Sequence, residues 1–187
     1  MNPYEKCPVY QNENYLLRLV EFADAPDLLK VYSDEKAVPF FNSDNCNGDD
    51  FHYTSLERMQ HAIEFWLWAY GDKGFVRFSI IDKKEDHAIG TIELFNRKAK
   101  DYFNNCGLLR LDIRSDYECA EHIFEILSLI LYPAFKLFDC EMIAIKIPPF
   151  ADERITAAKQ IGFSKSEEKL LGGDDGKIYT DYYTLFK

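Results

Sequence analysis

Between Phe75 and Ile147 the chain spells out strand, turn, strand, loop, strand, helix, strand, and the connectors limit how those strands can pair. The apolar runs FVRFSIID (75–82) and HAIGTIELF (87–95) are separated only by the charged turn KKED, and GLLRLDI (107–113) follows after NRKAKDYFNNC. Connectors this short and polar predict an antiparallel meander. The next strand, EMIAIKI (141–147), is reached through the helical stretch ECAEHIFEILSLILYPAFKLF (118–138), a crossover of the length that parallel neighbours need. Meander plus crossover predicts a mixed α+β domain in which helices flank a mostly antiparallel sheet of about six to seven strands.

The flanking segments fit that plan. NYLLRLVEF (14–22) reads as a strand, and ADAPDLLKVYSD (23–34) as a short helix with Asp24 as N-cap and Pro26 early in the first turn. Leu56, Met59, Ile63, Trp66, Leu67 and Tyr70 recur at helical spacing, with Thr54 or Ser55 to cap the start and Gly71 to end it. A helix DERITAAKQIGF (152–163) and a last strand IYTDYYTLFK (178–187) close the order. Pro133 should kink the long helix or mark a change of register. No repeat, low-complexity tract or linker divides the chain, so one domain spanning 1–187 is expected, its 47% hydrophobic content being ordinary for a packed core.

Charge narrows the partners. Twenty-two Lys and Arg against thirty-two Asp and Glu leave a net charge of −10, which argues against a nucleic-acid surface and favours a cationic substrate. The five cysteines, Cys7, Cys46, Cys106, Cys119 and Cys140, are odd in number, widely spaced and free of metal-ligand patterns, as expected of reduced thiols and of no metal site. With neither an apolar leader nor an apolar run long enough to cross a bilayer, a cytoplasmic protein is expected. Homodimerisation through an exposed strand or helix is left open.

In their order and spacing, the stretches YLLRLVEFADAPDLLKVYSDEKAVPFF, AIGTIELF (88–95) and AAKQIGF ending in Gly162-Phe163 resemble the GCN5-related N-acetyltransferase superfamily, and within it the Rim-type branch named for ribosomal-protein acetylation. The resemblance covers nearly the whole chain. It implies a splayed sheet with acetyl-CoA between GLLRLDI and EMIAIKI, where Leu111 and Ile113 flank the cofactor. The pyrophosphate would rest on the N-terminus of the following helix, at Glu118, Cys119, Ala120, Glu121, His122 and Ile123. Such a seat is physically sound, because first-turn N–H groups and the helix dipole attract phosphate. The implied reaction is acetyl transfer to a primary amine of a small molecule or a protein N-terminus.

Two departures weigh against that reading. The family pattern Arg-x-x-Gly-x-Gly or Ala is replaced by Glu118, Cys119, Ala120 and Glu121, whose carboxylates repel phosphate and complement the helix dipole themselves. The tyrosine that serves the family as acid aligns with Ala158, and the asparagine opening that helix with Ala151 or Asp152. A catalytically idle binding module of the same fold is therefore the alternative. If the chain is an enzyme, Glu93 and Asp112 are the candidate bases, being carboxylates in apolar strands where burial would raise their pKa. The bland reading pairs Asp112 with Arg110 and turns Glu93 to the sheet edge or solvent. Tyr183, with Tyr182 beside it, is the candidate acid, and aromatic residues also fill strands simply to pack. His122 is expected to face solvent, and Cys119 at the helix start is reactive only if its glutamate neighbours permit.

Overall fold

Alternation along the strands sorts the chain into two packed faces. The computed structural model describes residues 2–187. In chain order the elements are β1 (Tyr10–Gln11), β2 (Tyr15–Leu19), α1 (Ala25–Tyr32), α2 (Leu56–Gly71), β3 (Val76–Asp82), β4 (His87–Arg97), β5 (Cys106–Ile113), α3 (Ala120–Leu137), β6 (Met142–Lys146), α4 (Asp152–Ile161), β7 (Ser164–Lys165), β8 (Leu170–Leu171), β9 (Ile178–Tyr179) and β10 (Tyr182–Phe186). Eight strands form one sheet in the order β1-β2-β3-β4-β5-β6-β10-β7, and β8 with β9 makes a separate hairpin. The meander β2-β3-β4-β5 is antiparallel as its short connectors require, and β5 with β6 is the one parallel pair among the described strands.

On one face Phe78, Ile92, Leu94, Leu109 and Leu111 meet Ile123, Ile126, Leu127 and Ile130 of α3, together with Ala157 and Ala158 of α4. On the other, α1 and α2 build a second cluster around Leu28, Tyr32, Met59, Ile63 and Trp66. Gly90 marks where β4 presses hardest on its neighbour, beside a bulge that skips Ile89. A Cβ there would lie 2.2 Å from the Asp112 carbonyl oxygen, so only glycine fits.

Local expectations hold in part. Ser55, and not Thr54, caps α2, accepting from the Arg58 N–H at 3.2 Å, and α2 ends at Gly71. Asp24 stands at the N-cap position of α1 but makes no side-chain cap bond: a 3-10 turn over Phe22–Asp24 precedes the helix, and the Asp24 carboxylate is drawn to Arg18 (2.6 and 2.9 Å) and Ser79 (2.6 Å). Pro133 lies inside an unbroken α3, which the buried side chains Ile130, Leu131, Ala134 and Phe135 hold in place on both sides of it. The expected last strand is two strands, divided where Asp181 takes a left-handed conformation at φ 67°.

Candidate active site

The strands β5 and β6 separate. Their pairing runs from Gly107↔Ile143 to Leu109↔Ile145 and stops, so Arg110 to Ile113 continue without a β6 partner, while β6 stays paired with β10 as far as Lys146↔Tyr182. A 3-10 turn at Ser115–Tyr117 then delivers the N-terminus of α3 to the mouth of this gap. Gap and helix end form the frame that the resemblance implies.

What stands in the frame comes from α4. The Arg154 guanidinium, 2% exposed, lies across the gap. It donates to the Leu111 carbonyl at 2.8 Å and the Phe40 carbonyl at 2.9 Å, and it forks onto Glu118 with Nε to Oε1 at 2.5 Å and Nη2 to Oε2 at 3.0 Å. Glu118 is buried with it, so the pair is a charge-assisted, two-pronged contact of the strong kind. Beside it, the Glu153 carboxylate accepts from the Ala120 N–H at 2.7 Å, taking the first free donor of α3. Glu153 thus complements the α3 dipole, a role the sequence had pointed to for Glu118 and Glu121.

The remaining expected cofactor residues divide by environment. Leu111, Ile113 and Ile123 bury their side chains in the core beneath the helix, and Glu121 is exposed. The Cys119 N–H is turned back onto the Tyr117 carbonyl at 2.8 Å. His122 does not face solvent; its Nδ1 lies 2.5 Å from the Tyr15 hydroxyl and its ring sits against Tyr117. The backbone frame suits a CoA thioester, and within it Arg154 engages the Leu111 carbonyl and Glu153 the Ala120 N–H.

Behind the sheet, on the α1/α2 face, lies a cavity of about 580 Å³ walled by Tyr53, Phe65 and Trp66 and floored by Arg77, Glu93 and Arg110. Glu93 does not face the sheet edge or solvent. It is fully enclosed, with one oxygen on Arg77 and the other 2.5 Å from Arg110 Nη1. Burial pushes its carboxyl up, yet the Arg110 and Arg77 guanidiniums outweigh burial and hold it below the ordinary value. The raised pKa expected of Glu93 is therefore absent, and with both oxygens engaged it is a counter-ion more than a proton acceptor.

Asp112 pairs with Arg77 at 3.2 Å, not with Arg110, because register places Arg110 opposite Glu93 and Asp112 opposite Thr91. It also accepts from the Tyr32 hydroxyl at 2.9 Å. Burial raises its pKa against the opposing pull of Arg77, as expected, but Asp112 is sealed behind Tyr32 and does not line the cavity. Tyr183 buries its ring in the α3/α4 core, and the Tyr182 hydroxyl on the opposite face donates to Asp44 at 3.1 Å. Of the three catalytic candidates, the structure brings only Glu93 to the cavity.

The cavity lining also tempers the charge reading. Asp49, Glu93 and Asp174 are matched by Arg58, Arg77 and Arg110, so the net −10 of the chain is not concentrated here. Among the described residues no group of three or more His, Cys, Asp or Glu is placed to hold a metal ion, and no helix is long and apolar enough to cross a membrane. Arg154 and Arg77 carry the site and were missed in the sequence. The available signal for Arg154 was a cation three and four residues before Ala157 and Ala158, on the inward face of α4.

No protein-family model and no curated protein matches the chain. Solved structures do match. RimJ of Mycobacterium smegmatis in complex with CoA-disulfide superposes with a TM-score of 0.73 at 12% identity, over 100% of this chain and 90% of that one. RimL, a ribosomal L7/L12 α-N-protein acetyltransferase in complex with coenzyme A, gives 0.70 at 11% identity, over 96% and 98%. The ribosomal-protein-S5-alanine acetyltransferase of Vibrio fischeri gives 0.71 at 16% identity, over 96% of both chains. With its splayed β5 and β6 and its helix start at the gap, the chain has the fold of the GCN5-related N-acetyltransferases.

Proposed function

We propose that the protein transfers an acetyl group from acetyl-CoA to a primary amine of a small molecule or a protein N-terminus. One observation carries the reading: β5 and β6 part after Leu109↔Ile145, and the N-terminus of α3 stands at the opening. The likeness of the whole chain to RimJ and RimL, structures in complex with CoA-disulfide and coenzyme A, supports the same reading. The first-turn N–H groups of α3 would hold the pyrophosphate and the unpaired edge of β5 the thioester arm, once Arg154 and Glu153 move aside. The amine would enter through the aromatic-walled cavity on the opposite face. Its balanced lining suits a neutral or modestly charged acceptor better than a polycation. Glu93 would hold Arg110 and Arg77 in place at the floor of that cavity.

A second reading, a non-catalytic binding module of the same fold, is favoured by Arg154 standing inside the gap. Thermal unfolding with millimolar acetyl-CoA, run beside mass-spectrometric detection of acetylated products from a panel of primary amines and short peptides, separates the two. Ligand at ten times its Kd stabilises by about 1.4 kcal/mol, or about 3–6 °C for a chain of this size. A shift with a product 42 Da heavier supports the transferase; neither shift nor product favours the binding module.

A further inference from the structure

We infer that three side chains of this protein, Arg154, Glu118 and Glu153, occupy the seat of the CoA thioester and thereby set the affinity of the chain for it. The inference rests on the acetyl-CoA reading above and adds what holds the cleft closed.

Arg154 is not a stray surface cation folded inward. Its guanidinium is enclosed and meets four acceptor atoms: two Glu118 oxygens and the carbonyls of Leu111 and Phe40. The Phe40 ring lies 5.5 Å from the guanidinium carbon, and Phe150 stands edge-on to Phe40. Of the four acceptors, the Leu111 carbonyl matters most. It belongs to the stretch of β5 that β6 leaves unpaired, so the guanidinium satisfies the strand edge that a ligand entering the gap would have to bond.

Glu153 makes the same substitution one residue earlier. A phosphate is held at a helix start by an anion's attraction to first-turn N–H groups, and here a carboxylate oxygen 2.7 Å from the Ala120 N–H supplies the anion. Adjacent residues of α4 therefore fill both parts of the seat, the arm through Arg154 and the phosphates through Glu153. The two differ in how firmly they hold. Glu153 is exposed and free to swing away, whereas moving Arg154 alone would leave Glu118 buried without its partner. Opening the gap requires Arg154 and Glu118 to separate and both to find water, a step that subtracts from the binding free energy of whatever enters.

Titration calorimetry with acetyl-CoA tests this on the natural chain, on Glu118→Ser/Arg154→Ser, and on Glu153→Gln. The double variant removes both charges together, so no buried ion is stranded. We expect it to bind at least tenfold tighter than the natural chain, and Glu153→Gln, an exposed change that keeps an acceptor oxygen for the Ala120 N–H and removes only the charge, to bind at least threefold tighter. Equal affinities in all three proteins would overturn the inference while leaving the acetyl-CoA reading intact. Absence of binding in all three would overturn both. If the double variant does not fold, Glu153→Gln decides: an affinity unchanged from the natural chain refutes the role given to α4.

Discussion

Replacing Arg77 by methionine is the sharpest test of how the sheet is held together on its α1/α2 face. Arg77 is 1% exposed and serves two carboxylates at once, Glu93 through Nη2 and Asp112 through Nη1 at 3.2 Å. It also donates to Thr91 and to the Tyr32 hydroxyl, both at 3.1 Å, and its guanidinium carbon lies 4.2 Å from the Trp66 ring centre. Methionine keeps most of the volume and removes the charge. Glu93 keeps Arg110 and Asp112 keeps the Tyr32 hydroxyl, but each loses its nearest cation while remaining buried. Removing one partner of a buried ion pair costs about 3–5 kcal/mol, which for a domain of this length is a fall in Tm of about 6–20 °C.

The pH dependence adds a signature that lost packing would not give. In the natural chain the Glu93 carboxyl is held below its ordinary value, so its contribution is present at neutral pH and is lost as pH falls through the folded value. In Arg77→Met, burial acts against one guanidinium in place of two, and the folded pKa of Glu93 rises. The deficit between variant and natural chain should therefore be largest near pH 7 and narrow below about pH 5. Urea unfolding at both pH values reads this directly. Arg58→Met supplies the control, since its pair with Asp49 is solvated and worth about 1 kcal/mol or less. A loss below about 1 kcal/mol in Arg77→Met, or one that ignores pH, would refute the assignment of Arg77 as the central counter-ion.

Three further outcomes are expected. Gly90→Ala should destabilise by about 3 kcal/mol in denaturant titration, because its methyl would press on the Asp112 carbonyl and on Ile113, and β4 or β5 must shift. Ser55→Ala should cost about 1 kcal/mol by loss of the α2 cap while leaving any ligand affinity unchanged. In an acid titration followed by circular dichroism, Asp24→Asn should flatten the loss of stability below about pH 4. Burial opposes ionisation of Asp24, but Arg18, Ser79 and the Glu21 N–H together hold its pKa down, so its stabilisation vanishes as the carboxylate takes up a proton.

The sequence was a good guide wherever periodicity and connector length carry the information. Strands β3, β4 and β5 and helices α2 and α3 lie close to where alternation, helical spacing and turn chemistry placed them, and the antiparallel meander followed from connectors too short for anything else. Gly90 in AIGTIELF could be picked out as part of a signature. Its reason, the close approach of the Asp112 carbonyl, needed the neighbouring strand in place.

Pairing of charges was beyond reach, because it depends on register and on which layer covers which face. Arg110 and Asp112 are two residues apart and share a face, which made them look like partners; across the strand pair Arg110 faces Glu93, and Asp112 is claimed by Arg77 from β3 and Tyr32 from α1. The site turned on the same distinction. The loss of the glycine and arginine pattern before α3 was legible residue by residue, and Glu118 could be seen to oppose a phosphate. That Glu118 instead completes Arg154, thirty-six positions along the chain, and that Glu153 takes the Ala120 N–H, came only from folding α4 against α3. Local sequence states which groups are present at a helix end; only the tertiary packing brings the remote charge that satisfies them.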